Sequence, residues 1–444
     1  MRTVIRGGSQ VLSVLCLLSI ICVVGCNGCS SGTSSNTSSG GGSMGSGGTT
    51  GTGGTGGTGG GGSASGAVSV LTYHNDNMRT GQNTQETALT TANVNSASFG
   101  KLGFYAVDGK VDAEPLYAPA ESINGATHNV LYVVTEHDSA YAFDADNGTV
   151  LWHVSALGPN ETPTDKRNCS QVTPEIGITS TPVIDPKAGA HGTMYIVAAS
   201  KDSSGNYHQR FHALDLTTGA EQSGSPVTVQ ATYPGTGAGS SNGQSTFDPK
   251  QYNERAGLLL LNGVVYLAWS SHCDINPYTG WVMGYNQNTL AQTSVLNVTP
   301  NGSEGAFWQS GDGPGADSNG NIYILDGNGT FDTALNSSGF PSKSDFGNAF
   351  LKFSTSGNKL SVADYFVMSN TIAESNADQD LGSGGELLLP DVTDASGTVR
   401  HLAVGAGKDE NIYVVDRDNM GKFNPTSNNI YQELAKGLDR KSVV

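Results

Sequence analysis

Seven side chains in this sequence stand beside short apolar runs, where a folded chain can hold them still, and each is of a type that binds or reacts. Glu175 lies in PEIGITSTPV, Lys201 follows GTMYIVAAS, Arg255 precedes AGLLLL and His272 closes GVVYLAWSS. Trp308 and Gln309 open WQSGDG, and Lys408 sits in GAGKDE. Together they offer a carboxylate, fixed cations, an imidazole, an amide and an aromatic face, the groups that orient a polar ligand in a pocket. The same groups also satisfy strand ends in a buried polar network. No serine, cysteine or carboxylate stands in a pattern that names a nucleophile or general base, so no catalytic residue is expected.

Metal chemistry has little to work with. DADNG (144–148), DSNGN (317–321) and DRDNMG (416–421) carry oxygen ligands at alternate positions, but Ser427 stands where an EF-type loop after Asp416 would need an acid. Asp, Asn and Gly in this order are the residues of tight turns. His74, His128, His137, His208 and His212 are scattered singly. No metal ligand set is expected. GSGG and GDGP follow no strand–turn–helix pattern and are not phosphate loops.

The elements that must position these residues repeat. NVLYVVTEHDSAYAFDADNGTVLW (129–152) returns as GTMYIVAASKDSSGNYHQRFHALDLTTGAE (192–221) and as GVVYLAWSSHCDINPYTGWVMGYNQNTL (263–290). A fourth copy covers 321–332 and 348–360, and a looser fifth covers 401–423. Each has an apolar run around an aromatic, a variable polar loop, a second apolar run and a Gly-bearing turn. Runs of strand length rich in Val, Ile, Tyr and Phe, without a helical period, predict an all-β domain. Radially repeated four-stranded sheets are the architecture that uses such units, so the prediction is a β-propeller over 67–434. EPLYAP (114–119), STPVID (180–185), AGLLLLN (256–262) and GGELLLPD (384–391) are the expected innermost strands. SGDGPGAD (310–317) takes that place in the fourth copy, where the apolar content collapses and the blade should be least regular.

These repeats resemble the quinoprotein propeller repeat, Y-A-x-D-x-x-x-G followed by an aliphatic and a tryptophan. Tyr141, Ala142, Asp144, Gly148, Leu151 and Trp152 match it, and Ala213, Leu214, Asp215 and Gly219 match it in part. YHNDNMRTGQN (73–83) and LTTANVNSASFGKL (89–102) look like the opening of quinoprotein dehydrogenases. As a whole, the chain is similar to bacterial, acidobacterial-type secreted lipoproteins with these repeats. The resemblance implies seven of the features above on one mouth of a central channel, where Glu175, Lys201, Arg255, His272, Trp308, Gln309 and Lys408 are ligand-binding candidates. It also raises a rival function, a pyrroloquinoline quinone (PQQ)-dependent oxidoreductase acting on an alcohol or sugar. Such an enzyme needs a flat pocket, a calcium site and a carboxylate base, and many place a ring of two adjacent cysteines on the cofactor. No Cys-Cys pair is present, ADYF (363–366) reads as an ordinary strand, and Trp269 and Trp281 fall where blade packing uses them. The expectation is therefore no cofactor, with PQQ and calcium as the alternative.

The ends of the chain carry a different message. Residues 1–25 have Arg2 and Arg6, a short apolar core and the lipobox-like exit VVGC, which predicts a lipoprotein signal with the lipid on Cys26. Residues 26–66 are nearly all Gly, Ser and Thr, bury nothing and predict a flexible tether. That places the domain at the cell envelope, with membrane attachment through the lipid and an envelope protein, small molecule or glycan as partner. A formal net charge of −17 argues against nucleic acid. With Cys16 and Cys22 in the signal, Cys169 and Cys273 remain as a possible disulfide, or as two separate thiols. GKLGFYAVDG (100–109) is expected to give a strand to a closing blade. AKGLDRKSVV (435–444) has no strand pattern and resembles translated adapter sequence. Hence the expectation of an incomplete propeller, about five blades of the usual seven or eight.

Overall fold

The turn of the first repeat is built as its residues dictate. Asp144 accepts the Asp146 backbone N–H at 2.9 Å, and the Gly148 N–H returns to the Asp144 carbonyl at 2.8 Å. Gly148 holds φ at +76°, a conformation that strains any residue with a Cβ. On either side, Val-, Tyr- and Phe-rich runs pair antiparallel. Leu116–Ile123, Ala126–Val134, Ser139–Asp144 and Val150–Ser155 form one four-stranded sheet in sequence order.

The computed structural model describes residues 68–438, so Cys26, the signal and tether predicted over 1–66, and residues 439–444 lie outside the described residues. Four more blades follow the first, of six, five, four and four strands. Their innermost strands are Val183–Asp185, Leu259–Leu261, Gly315–Ala316 and Glu386–Leu388, each inside or overlapping its predicted stretch. The fourth is two residues long, as its loss of apolar residues led one to expect. Two hairpins, Thr232–Pro234 with Gln244–Thr246 and Val392–Thr393 with Val399–Arg400, are insertions between blade strands.

Blades are joined by the repeat motif itself. The Trp152 indole donates to the Leu216 carbonyl at 2.9 Å, and the Tyr132 hydroxyl donates to the same oxygen at 3.2 Å. A Cβ on Gly219 would lie 2.7 Å from the Trp152 ring. The tryptophan of one repeat and the turn glycine of the next thus form one joint. Tyr195 repeats the contact one blade on, donating to the Gln287 carbonyl at 2.9 Å. The core follows this logic: each of the four largest buried apolar clusters is shared by two successive blades. Trp269 and Trp281 are fully buried in the cluster between the second and third blades, where packing was expected to use them.

The inner edge is held by a single segment, residues 70–79. Val70 exchanges backbone hydrogen bonds with Tyr117 of the first blade, and Leu71 accepts the Ile184 N–H of the second. The Asn77 amide donates to Leu260 of the third blade, the Asn77 carbonyl accepts from Ala316 of the fourth, and the Met78 carbonyl accepts from Leu388 of the fifth. Arg79, 2% exposed, donates to Thr72 Oγ1 at 2.8 Å and to the carbonyls of Tyr73, Pro314, Gly313 and Leu258 at 3.0 to 3.4 Å.

One sequence reading needs correction. Residues 100–109 contain no strand; Tyr105 and Val107 instead pack on Val133, Tyr141 and Phe143 at the outside of the first blade, and the Tyr105 hydroxyl donates to the Ala145 carbonyl. The all-β domain contains one short helix, Thr371–Asn376, whose length is below what a hydrophobic period can reveal. The disulfide left open by the sequence is formed: Cys169 and Cys273 are bonded, with Cα atoms 6.0 Å apart. Among the described residues no strand pairing joins the fifth blade to the first, so the five sheets are not closed into a ring.

Arg79→Met should test the inner edge, since it strips the donor from four carbonyls that water cannot reach. The expected loss is about 3–5 kcal/mol of unfolding free energy in a urea titration. A loss under about 1 kcal/mol, ordinary for a surface substitution, would mean the segment is decoration.

Candidate functional site

Glu136 follows the second strand of the first blade and is 4% exposed. Its carboxyl accepts the Gly177 N–H at 2.7 Å and the Thr179 hydroxyl at 3.1 Å. Gly177 permits the approach, because a Cβ there would stand 2.4 Å from the Glu136 carbonyl oxygen. Burial, then the hydrogen bond that its protonated carboxyl donates to the Asp112 carboxylate, pushes Glu136 up to about 8, so it is largely neutral at pH 7. Thr179 also reaches Asn253 Oδ1 at 3.3 Å, which ties this corner to the third blade.

There the inner strand is broken. Glu254 pairs with Trp269 and Leu259 with Tyr266, so residues 255–258 face only Leu267 and Ala268. Extra residues in a ladder re-aim side chains, and here Arg255 turns out of the sheet. Its guanidinium lies over the Trp308 ring, 5.9 Å from the centroid. Arg255 makes no ion pair or hydrogen bond among the described residues. Burial works against its charge, and nearby Asp112 and Glu136 offset part of that cost.

These groups line a cavity of about 420 Å³. Burial and the Arg167 charge push His272 down to about 4, leaving a neutral imidazole whose Nε2 has no partner. Glu175 accepts from or shares a proton with His137 Nδ1 at 2.8 Å, and this pair raises the His137 pKa. Cys273 joins the wall and the disulfide fastens it to the 169–173 loop, which supplies Val172 and Thr173. Of the seven residues singled out in the sequence, Glu175, Arg255, His272 and Trp308 line this cavity. Lys201 pairs with Asp165, and Lys408 bridges Asp378 and Asp380, both outside it. Gln309 is fully buried and donates to Leu325 O and Glu386.

No family model and no curated protein matches the chain. Solved structures do. A quinohemoprotein alcohol dehydrogenase from Pseudomonas putida HK5 is 16% identical, with a TM-score of 0.55 over 85% of this chain and 50% of that one. The quinohemoprotein alcohol dehydrogenase of Comamonas testosteroni is 15% identical, with a TM-score of 0.52 over 81% and 49%. A europium-containing methanol dehydrogenase is 14% identical, with a TM-score of 0.51 over 79% and 57%. The fold is a β-propeller like that of these proteins. The chain spans about half the length of those proteins, and at such identity the likeness speaks for the fold alone.

Whether the cavity of this propeller suits a stacked quinone is a question for its residues. A flat ring needs a bare aromatic face, and the Trp308 face carries the Arg255 guanidinium. The cysteine in the wall is bonded to one 104 positions away rather than to its neighbour. The arrangement does not fit the quinone.

Sequence reasoning missed Glu136, Asp112, Asn253 and Arg79. One signal for Glu136 was available. Lys201, His272 and Lys408 end or follow the second strand of their repeats, and Glu136 takes the same place in the first copy. Asp112 precedes the first strand and Asn253 lies in a strand segment with no apolar pattern, so neither had a marker.

The neutral Glu136 sets a pH dependence. Its folded pKa lies above the ordinary 4.5, so the folded state holds a proton that the unfolded state releases between about pH 4.5 and 8. Stability is thus full below that window and falls as pH rises through it; Asp312 and Glu374, each raised by burial to about 7, act in the same direction. Glu136→Gln should flatten the fall, measured as urea midpoints at pH 5 and pH 8. Identical pH slopes for the variant and the parent would refute the assignment.

Proposed function

We propose that this chain is an envelope-tethered binding protein whose ligand, a small hydroxyl-rich anion such as a sugar acid, enters the cavity between the first and third blades. The observation that carries this reading is Arg255: an arginine held over Trp308, half-buried, with no anion among the described residues to pair with it. A guanidinium is charged at any ordinary pH and offers a planar fork that fits a carboxylate. Around it the wall presents donors and acceptors in mixture, the Asn253 amide, the Ser270 and Ser271 hydroxyls, the neutral His272 and the protonated Glu136. Apolar surface from Val172, Cys273 and Trp308 lies beside them, a mixture that suits the hydroxyls and C–H faces of a sugar.

Calorimetry with galacturonate as probe tests the reading. Binding in the micromolar to millimolar range is expected, with Arg255→Ala weakening it at least about tenfold, the worth of one charge-assisted pair. No heat with galacturonate or gluconate, in a folded protein, would overturn it. So would stoichiometric binding of PQQ with calcium coupled to reduction of an acceptor dye by an alcohol, which is the rival oxidoreductase reading.

The tether reading rests on VVGC and on the Gly-, Ser- and Thr-rich residues after it. A lipidated cysteine with more than one acyl chain holds a protein on a membrane where one chain is marginal. Cys26→Ser should therefore leave the protein in the soluble fraction or as an unprocessed precursor. Recovery of the variant in membranes at its mature size would sink the lipid assignment.

A further inference from the structure

The chain carries 39 acidic and 22 basic residues, yet beside the cavity the balance reverses. Arg167, Lys201 and Lys250 converge on the Tyr207 ring, at 5.4, 5.0 and 5.5 Å from its centroid. Lys166 adds a fourth, exposed cation next to Arg167. Lys201 is paired with Asp165, which also accepts the Tyr207 hydroxyl at 2.9 Å. Lys166, Arg167 and Lys250 have no ion pair among the described residues, and Arg167 Nε is buried without a hydrogen-bond partner. Like charges brought together repel, so their convergence on an acidic protein is favourable chiefly when an anion joins them.

The cluster adjoins the cavity by covalent structure. Arg167 stands two residues before Cys169, whose disulfide partner Cys273 lines the cavity, and Val172 and Thr173 of the same loop form the wall. The Arg167 charge is felt at His272 in that wall.

Building on the cavity reading above, we infer that the ligand is an acidic oligosaccharide, with a terminal sugar acid against Arg255 and a further carboxylate on the Lys166, Arg167 and Lys250 strip. The strip supplies cations without enclosing walls, which suits a repeated charge along a chain. The cavity supplies the hydroxyl-binding groups that a bare inorganic anion has no use for.

The full chain in detergent, titrated with galacturonate, trigalacturonate, neutral galactotriose and polyphosphate, separates the possibilities. Trigalacturonate is expected to bind at least tenfold more tightly than the monomer, with a gain that shrinks as salt is raised. Lys166→Ala with Lys250→Ala, both exposed, should abolish that gain and leave monomer affinity unchanged. Equal affinity of monomer and trimer, or a trimer gain untouched by the double variant, overturns the strip while the cavity reading stands. Binding of galactotriose as tight as trigalacturonate overturns the role of charge, and polyphosphate binding tighter than trigalacturonate overturns the saccharide. Loss of all sugar-acid binding, monomer included, removes the cavity reading itself.

Discussion

Everything in this arc hangs on one turn-rich segment threaded along its inner edge. Residues 70–79 touch the innermost strands of all five blades, in the order the blades occur in the chain. From the second blade on those strands are only two or three residues long and leave backbone groups at the inner edge for the segment to bond. Arg79 answers this by giving one buried guanidinium to carbonyls some 180 to 235 positions away in sequence. A neutral side chain of the same length offers fewer donors, and a lysine lacks the planar fork. The charge is costly to bury, and Asp312 and Glu386 nearby make it bearable at a cost to themselves: burial raises both carboxyls, Asp312 to about 7.

The same trade shapes the cavity. Inner-edge positions of a propeller are dry and crowded with backbone ends, so polar side chains there must be bonded or must change protonation. Glu136 and His272 both take the second route and are neutral near pH 7, the one protonated and the other not. Arg255 cannot take it, because a guanidinium keeps its proton. It is therefore the group in the wall that retains a formal charge without a partner. Its freedom traces to the interruption between Glu254 and Leu259, where the ladder lets Arg255 leave the sheet.

How much of this the sequence disclosed depends on whether a residue took part in the repeat. The blades were legible because Trp152, Gly148 and Gly219 serve local turns and nearest-neighbour joints, whose spacing survives in the chain. Glu175, Arg255, His272 and Trp308 were legible as polar residues pinned beside apolar runs. Asp112 was not, because it enters the site from a stretch with no strand pattern. Tyr105 misled for a related reason: its apolar neighbours matched a strand, but they cover the outside of the first blade without pairing. Arg79 was seen as part of a family-like opening, and its role across five blades is a matter of long-range contact that no local pattern encodes.

Fold likeness and site chemistry point in different directions here, and the physical reason lies at Trp308. A propeller needs aromatic residues near its channel simply to pack and to satisfy strand ends, so a tryptophan there is common to binding and catalytic members of such a fold. What differs is what lies on the ring. A bare face next to fixed oxygen ligands selects a flat cofactor. A face already occupied by a guanidinium, as Arg255 occupies it, turns the tryptophan into a support that orients a cation. The ring then stiffens the arginine and lowers the entropy lost when the arginine grips an anion. The tryptophan serves the fold, while the arginine over it sets the charge that the cavity presents.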